Sequence, residues 1–222
     1  MMNLCDVLMS IYPHATIHKG AIVEDGVQLE EGVEIFPYCF IGKNVVIKAG
    51  AKILPFTTLI GNTVIGENTE VRHSFLEDAV VGEHCFIGPF AHLRPGSVIA
   101  RNVKIGNFVE TKNASIGENT FVSHLSYVGD ASVGANVNIG AGTITANFNP
   151  YTGEKSHTSI GDHATVGANS VLIAPVTVEA GAAVAASSTI TDTVPTGSLA
   201  IARQKQRNII NWVEKHKKNQ EI

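Results

Sequence analysis

An aliphatic side chain recurs at every sixth position along most of this chain, and that spacing constrains the fold more than any other feature. Ile17, Val23, Leu29, Ile35, Ile41, Ile47, Ile53, Leu59, Ile65 and Val71 form the first run. The register resumes at Val81, Ile87, Leu93, Ile99 and Ile105, then at Ile116, Val122 and Val128, then at Val133 and Ile139. A final run holds Ile160, Val166, Leu172, Val178, Val184 and Ile190. A fixed period of this kind marks a repeat architecture, and neither an α-helix nor a simple hairpin has a period of six.

Two further columns give the repeat its shape. Two positions before each marker stands a small or β-branched residue, such as Ala21, Val27, Val33, Cys39, Val45 and Ala51, later Ala114, Thr120, Ser126, Ala131, Val137, Ala164 and Ser170. Residues two apart on a strand share a face, so both columns point inward. Three positions before the marker, Gly, Asn or Asp is frequent (Gly20, Gly26, Gly32, Asn44, Gly50, Asn68, Asn102, Asn119, Asn136), and these residues tolerate the positive φ that a sharp corner needs. Each hexapeptide is therefore one short strand and one corner. Three make a triangular coil, and coils stack at the ~4.8 Å strand spacing. Aromatic residues are only 6% of the chain, which suits a thin, regular core. Cys39 and Cys85 fall in the small inward column and read as packing, while Cys5 precedes the repeats.

The 222 residues suffice for one domain with a substantial core. A net charge of -4 gives no nucleic-acid footprint. The three cysteines show no CxxC or zinc-type spacing. No signal peptide is visible, and no apolar run approaches the ~20 residues of a membrane span; the expectation is a cytoplasmic protein with no membrane or nucleic-acid partner. The expected organisation is a lead-in over 1–13, a β-helix over 14–202, and a C-terminal helix or tail over 203–222, where Ile209, Ile210 and Val213 take helix-like offsets.

A solenoid has no mechanical need to break its period, so breaks direct attention to function. Ile105 to Ile116 is six plus five with Thr111 as a weak marker, Val128 to Val133 is five, and Thr145 to Ile160 contains the polar excursion from Asn147 to Lys155. The slip near 71–81 carries no comparable polar cluster. Arg94 and Lys112 are eighteen residues apart, one full coil. Two stacked cations with no carboxylate beside them predict a bound anion such as phosphate; the alternative is that both splay into solvent. His124 lies two places after Val122, in a slot that is polar and outward in regular rungs (Lys43, Glu67, Glu83, Glu118), and Tyr127 and Asn138 each precede a marker and so also point outward. His124 and Tyr127 flank one corner. An outward His beside a Tyr suits a general base, though a surface His is the commoner case. Arg94 and Lys112 lie at one edge and Asn138 on another face, so a site using them all has to form between subunits, most simply of a trimer.

The segments GPFAHLRPGS, IGNFVETKNASIG, SHLSYVGDASVG, NVNIGAGTITANF and LIAPVTV closely resemble the acetyltransferase half of the GlmU family, whose members are glucosamine-1-phosphate N-acetyltransferases and N-acetylglucosamine-1-phosphate uridyltransferases. The resemblance runs from about Tyr12 to the Arg203 region. It implies an all-β, left-handed parallel β-helix, a homotrimer with sites between subunits, acetyl-CoA as co-substrate, no metal for acetyl transfer, and a place in UDP-N-acetylglucosamine biosynthesis. It further implies that His124 is the catalytic base, that Arg94, Lys112, Tyr127, Asn138 and Lys155 hold the sugar phosphate, and that Ala141, Asn147, Phe148, Ala168, Ala186 and Arg203 hold acetyl-CoA. Phe148 stands where the family usually has Tyr, and Ala168 where it often has Ser. The excursion before Lys155 is a little longer than in the family. No Gly-rich nucleotide loop precedes the repeats, so uridyl transfer is not expected of this chain, and a separate uridyltransferase is a candidate partner.

Three other readings compete: acetyl transfer to another amino sugar or a nucleotide-linked amino sugar; a non-catalytic β-helix that serves as an oligomerisation module; and a zinc hydratase of this fold. The last is disfavoured because His73, His84, His92 and His124 occupy different rung slots.

Overall fold

The computed structural model describes residues 12–217. The chain winds as a left-handed parallel β-helix of short strands running from Thr16–Ile17 to Leu199–Ala200, and every pairing between named strands is parallel. The lead-in expected over 1–13 lies almost wholly outside the described residues, as does Cys5.

Three faces result. The first carries Thr16–Ile17, Glu34–Ile35, Lys52–Ile53, Glu70–Val71, Phe86–Ile87, Lys104–Asn107, Phe121–His124, Asn138–Ile139, Thr165–Val166, Ala183–Val184 and Leu199–Ala200, stacked in that order. The second face includes Thr58–Ile60, Phe75–Glu77, His92–Leu93 and Ile144–Ala146; the third includes Val64–Ile65, Val80–Val81, Val98–Ile99 and Thr158–Ile160. The long strands Glu110–Ile116 and Tyr127–Val133 bend over the corner and belong to both.

The core follows from the period of six. Ile35, Ile41, Ile47, Ile53, Leu59 and Ile65 are fully buried, and beside them stand Val33, Cys39, Val45, Ala51, Thr57 and Thr63 from the small column. Full burial of one such aliphatic side chain stabilises by about 1.5–3 kcal/mol. The slip near 71–81 is two five-residue rungs in which Leu76, fully buried, is the missing marker. Thr111 is a polar marker at the next irregularity; its hydroxyl lies 2.8 Å from that of Ser97, so the buried hydroxyl is partnered.

Corner chemistry departs from expectation along one edge. Asn44, Asn68, Asn102, Asn119 and Asn136 take φ of 53–64°, as a left-handed corner requires. The same slot between the first and second faces holds Tyr38, Phe56, Phe90 and Phe108, with φ of 56–64°. Their rings, with His73 between them, stack up the outside of that edge, Tyr38 on Phe56 at 5.2 Å and Phe90 on Phe108 at 5.4 Å between centroids. Stacking at the coil spacing offsets part of the left-handed strain.

Beyond Ala200 the chain leaves the helix. One short α-helix, Trp212–His216, forms; Ile209 and Ile210 precede it rather than joining it, and residues 201–217 are exposed throughout.

Candidate active site

The cations gather at the edge between the second and third faces. Leu93 pairs with Thr111 in register, and the Arg94 N–H donates to the Thr111 carbonyl at 2.9 Å, so Arg94 and Lys112 sit on adjacent coils as their spacing predicts. Lys155 arrives on the excursion, which folds back as a small antiparallel hairpin bridging Phe148 and Lys155, with Asn149 N–H donating to Glu154 O at 2.9 Å. The positive charge of Lys155, and then of Arg94, pushes the Lys112 ammonium pKa down. Lys112 therefore sits among like charges that the Asp130 carboxylate only partly offsets.

The absence of a neighbouring carboxylate, however, does not hold for Arg94. Its Nη1 donates to Glu110 Oε1 at 2.8 Å, and that bond raises the Arg94 pKa. Glu110 stands two residues before Lys112 and so shares its outward face. Glu110 is in register with His92 across a coil of regular length, so it reaches Arg94 diagonally, two residues off the stacked position that a fixed period points to.

Tyr127 joins this edge through a glycine. A Cβ on Gly129 would lie 2.3 Å from the Tyr127 hydroxyl, so the ring lies along the strand over Gly129, which pairs with Lys112. Behind the cations is a carboxylate that sequence reasoning missed. Asp130 is 8% exposed, accepts from Asn113 Nδ2 at 2.6 Å and accepts from Asn147 Nδ2. Burial alone would raise its pKa; the two amide bonds, then Lys155 and Lys112, more than offset that and leave it lowered. The signal was present, since Asn113, Asp130 and Asn147 recur every seventeen residues in one corner slot.

His124 stands at a different edge, between the first and second faces. It ends the strand Phe121–His124 and pairs with Asn107 one coil away, with the imidazole Nδ1 2.6 Å from Asn107 Oδ1. Asn107 was not among the expected site residues. The ladder continues past His124. Asn138 pairs with Phe121 and Thr165 pairs with Asn138, which brings Ala141 and then Ala168 onto the His124 rung position; the Asn169 N–H donates to Ala141 O at 2.7 Å. Thr165 pairs with Ala183, which adds Ala186 to the same column, and Arg203 follows one coil beyond with its side chain exposed. His124, Ala141, Ala168 and Ala186 thus line one edge at the coil spacing of ~4.8 Å.

The expected residues therefore fall into two groups within one chain. Arg94, Lys112, Tyr127, Lys155 and Asn147 share the edge between the second and third faces, with Phe148 exposed beside them on the excursion. His124, Ala141, Ala168 and Ala186 share the other edge, and Asn138 is exposed on the first face. His124 is five residues from Gly129, so at ~3.3 Å per residue the two edges are up to roughly 16 Å apart along the second face. Among the described residues no group of three or more His, Cys, Asp or Glu is placed to hold a metal ion, and no helix is long and apolar enough to cross a membrane.

The fold and its repeat define the class: a left-handed β-helix protein of the hexapeptide-repeat type. Residues 157–192 match the family described as the hexapeptide repeat of succinyl-transferase, and residues 7–107 match the GMPPB C-terminal domain. The same fold is seen in the UDP-N-acetylglucosamine acyltransferases of Francisella novicida (TM-score 0.60, 20% identity, 84% of this chain and 67% of that one) and Arabidopsis (TM-score 0.63, 19% identity, 82% and 70%). Relatives in sequence are nearer. The bifunctional protein GlmU of Desulfitobacterium hafniense is 46% identical over 90% of this chain and 44% of its own length; that of Prochlorococcus marinus is 50% identical over 82% and 38%; that of Cellvibrio japonicus is 55% identical over 68% and 33%. The chain spans less than half the length of these curated relatives, and over that part it belongs to the GlmU family.

Proposed function

We propose that this chain transfers the acetyl group of acetyl-CoA to the amine of glucosamine 1-phosphate, in sites completed between the subunits of a homotrimer. Family membership supports acetyl transfer to a sugar phosphate. The observation that carries the finer reading is the separation of the two edges. One offers three cations to a phosphate; the other offers an outward imidazole at the foot of a column of alanines. A pantetheine chain laid along Ala141, Ala168 and Ala186 meets no side chain beyond Cβ and delivers its thioester to His124. Arg203, exposed past the end of that column, faces the nucleotide end. A second copy that sets its cation edge against this alanine edge brings amine and thioester together.

The amine nitrogen attacks the thioester carbonyl while His124 Nε2 takes its proton; the tetrahedral intermediate expels the CoA thiolate, and the proton passes to that sulfur. Among the described residues no Cys or Ser is paired with a base beside His124 and the alanine column; Ser132 Oγ lies 2.9 Å from His157 Nε2, but on the third face, away from that column, so direct transfer is favoured over an acyl-enzyme. For the oxyanion, Gly140 N–H is already donated to Val166 O at 2.8 Å and Gly142 N–H to His124 O at 3.3 Å. That leaves the Ala141 N–H as the donor at this corner.

The test is thiol release from acetyl-CoA with glucosamine 1-phosphate, glucosamine, glucosamine 6-phosphate and UDP-linked amino sugars as acceptors. Release that depends on glucosamine 1-phosphate is the expected result. Release only with another amine changes the acceptor, and silence with all of them rejects acetyl transfer in favour of an oligomerisation module.

A further inference from the structure

We infer that Asn107 is a positioning residue that sets the tautomer of His124, an inference that rests on the proposed role of His124 as a base. A neutral imidazole has one N–H and one lone pair, and only the nitrogen with the lone pair accepts a proton. A His that presents Nε2–H to the substrate is useless as a base at that atom. The hydrogen bond made by the other nitrogen decides between the two forms.

Asn107 Oδ1 lies 2.6 Å from His124 Nδ1. An amide oxygen only accepts, so the ring must carry its proton on Nδ1, which leaves the lone pair on Nε2. Nε2 has no hydrogen-bond partner among the described residues. The pair is built by the coil. Asn107 and His124 are register partners at the ends of adjacent strands, and the Leu125 N–H donates to Asn107 O at 3.0 Å. Immediately after each partner the backbone turns left-handed, with φ of 56° at Phe108 and 50° at Leu125. Both side chains therefore leave the same edge side by side. Gly106 permits the close approach, since a Cβ there would lie 1.8 Å from the Ser123 carbonyl oxygen. An amide also orients the ring without adding a charge, so it fixes the proton without favouring the imidazolium that a carboxylate partner would favour.

The direct measurement is the ring-nitrogen ¹⁵N spectrum of His124 above its titration range in the intact protein, assigned by the signal lost in His124→Gln. Protonated Nδ1 and unprotonated Nε2 are expected; an Nε2–H ring in the unmodified protein overturns the inference with no variant needed. Asn107→Leu should mix the tautomers and lower kcat about 10–100-fold with little change in either KM, the range typical of lost outer-shell partners. Asn107→Asp, which keeps the acceptor, should restore the Nδ1–H ring. Asn107→Leu with an unchanged ¹⁵N pattern, or with unchanged kcat, also overturns it. If the unmodified protein shows Nδ1–H but acetylates no amine, the positioning stands and the acetyltransferase reading fails, so the two failures are separable.

Discussion

Gly106→Ala isolates the closest backbone approach beside the proposed base. Gly106 follows the buried marker Ile105, and a Cβ there would meet the Ser123 carbonyl oxygen at 1.8 Å, its carbon at 2.5 Å and the Ser123 Cα at 2.8 Å. All three are main-chain atoms, so no rotamer change relieves the clash. Restoring ordinary contact takes a retreat of roughly 1.6 Å between two strands of a close-packed stack. Such overpacking belongs at the upper end of the usual range, about 3 kcal/mol, or roughly 6–12 °C in Tm for a chain of this size. The strand that retreats carries Ser123 and His124, so the Asn107–His124 bond opens with it. A displacement of ~1 Å at a reacting group costs on the order of 10²-fold in rate. The matched control is Gly42→Ala, which fills the same slot after marker Ile41 but meets nothing nearer than Ile60 Cγ2 at 3.2 Å, with the nearest main-chain atom, Leu59 O, at 3.4 Å. That change should leave Tm within a few degrees and turnover intact. Thermal unfolding and acetyl-transfer kinetics on both variants decide the matter. Equal Tm and equal turnover in Gly106→Ala and Gly42→Ala would refute the argument.

Other outcomes follow from the same geometry. His124→Ala should lower turnover by ~10²–10⁴-fold and leave the oligomer intact; near-normal turnover removes it from the mechanism. Lys112→Ala should mainly raise KM for the phosphorylated acceptor, and a change confined to the acetyl-CoA KM would show that the cation edge holds the other substrate. The Asp130 carboxyl has a lowered folded pKa, so its stabilisation is full above the unfolded value near ~3.9 and lost as pH falls through the depressed one. Asp130→Asn should therefore lower Tm at pH 7 and progressively less below pH 4, and a pH-independent difference would refute the assignment. Burial raises the thiol pKa of Cys39 to about 11, and it also pushes up that of Cys85. Native protein treated with iodoacetamide at pH 8 should yield both peptides unmodified, and ready alkylation of either would contradict their packing.

The sequence by itself determined the β-helix. Markers such as Ile47 and small partners such as Val45 can share one interior only if three six-residue rungs close a coil, so the period implies the core without any long-range information. It also determined that Arg94 and Lys112 stack, because one coil of regular length separates them. The tertiary structure decided everything that depends on coils of irregular length. Asn107 meets His124 across seventeen residues, where a fixed period of eighteen places the pair out of register. Glu110 meets Arg94 diagonally across a coil of regular length, a contact that the side-chain conformations decide. Asp130, Asn113 and Asn147 recur every seventeen residues in the sequence, but that both amides close on the Asp130 carboxylate is decided by the fold. The period fixes which side chains point inward; the register of unequal coils, set by backbone hydrogen bonds between them, fixes which outward side chains touch.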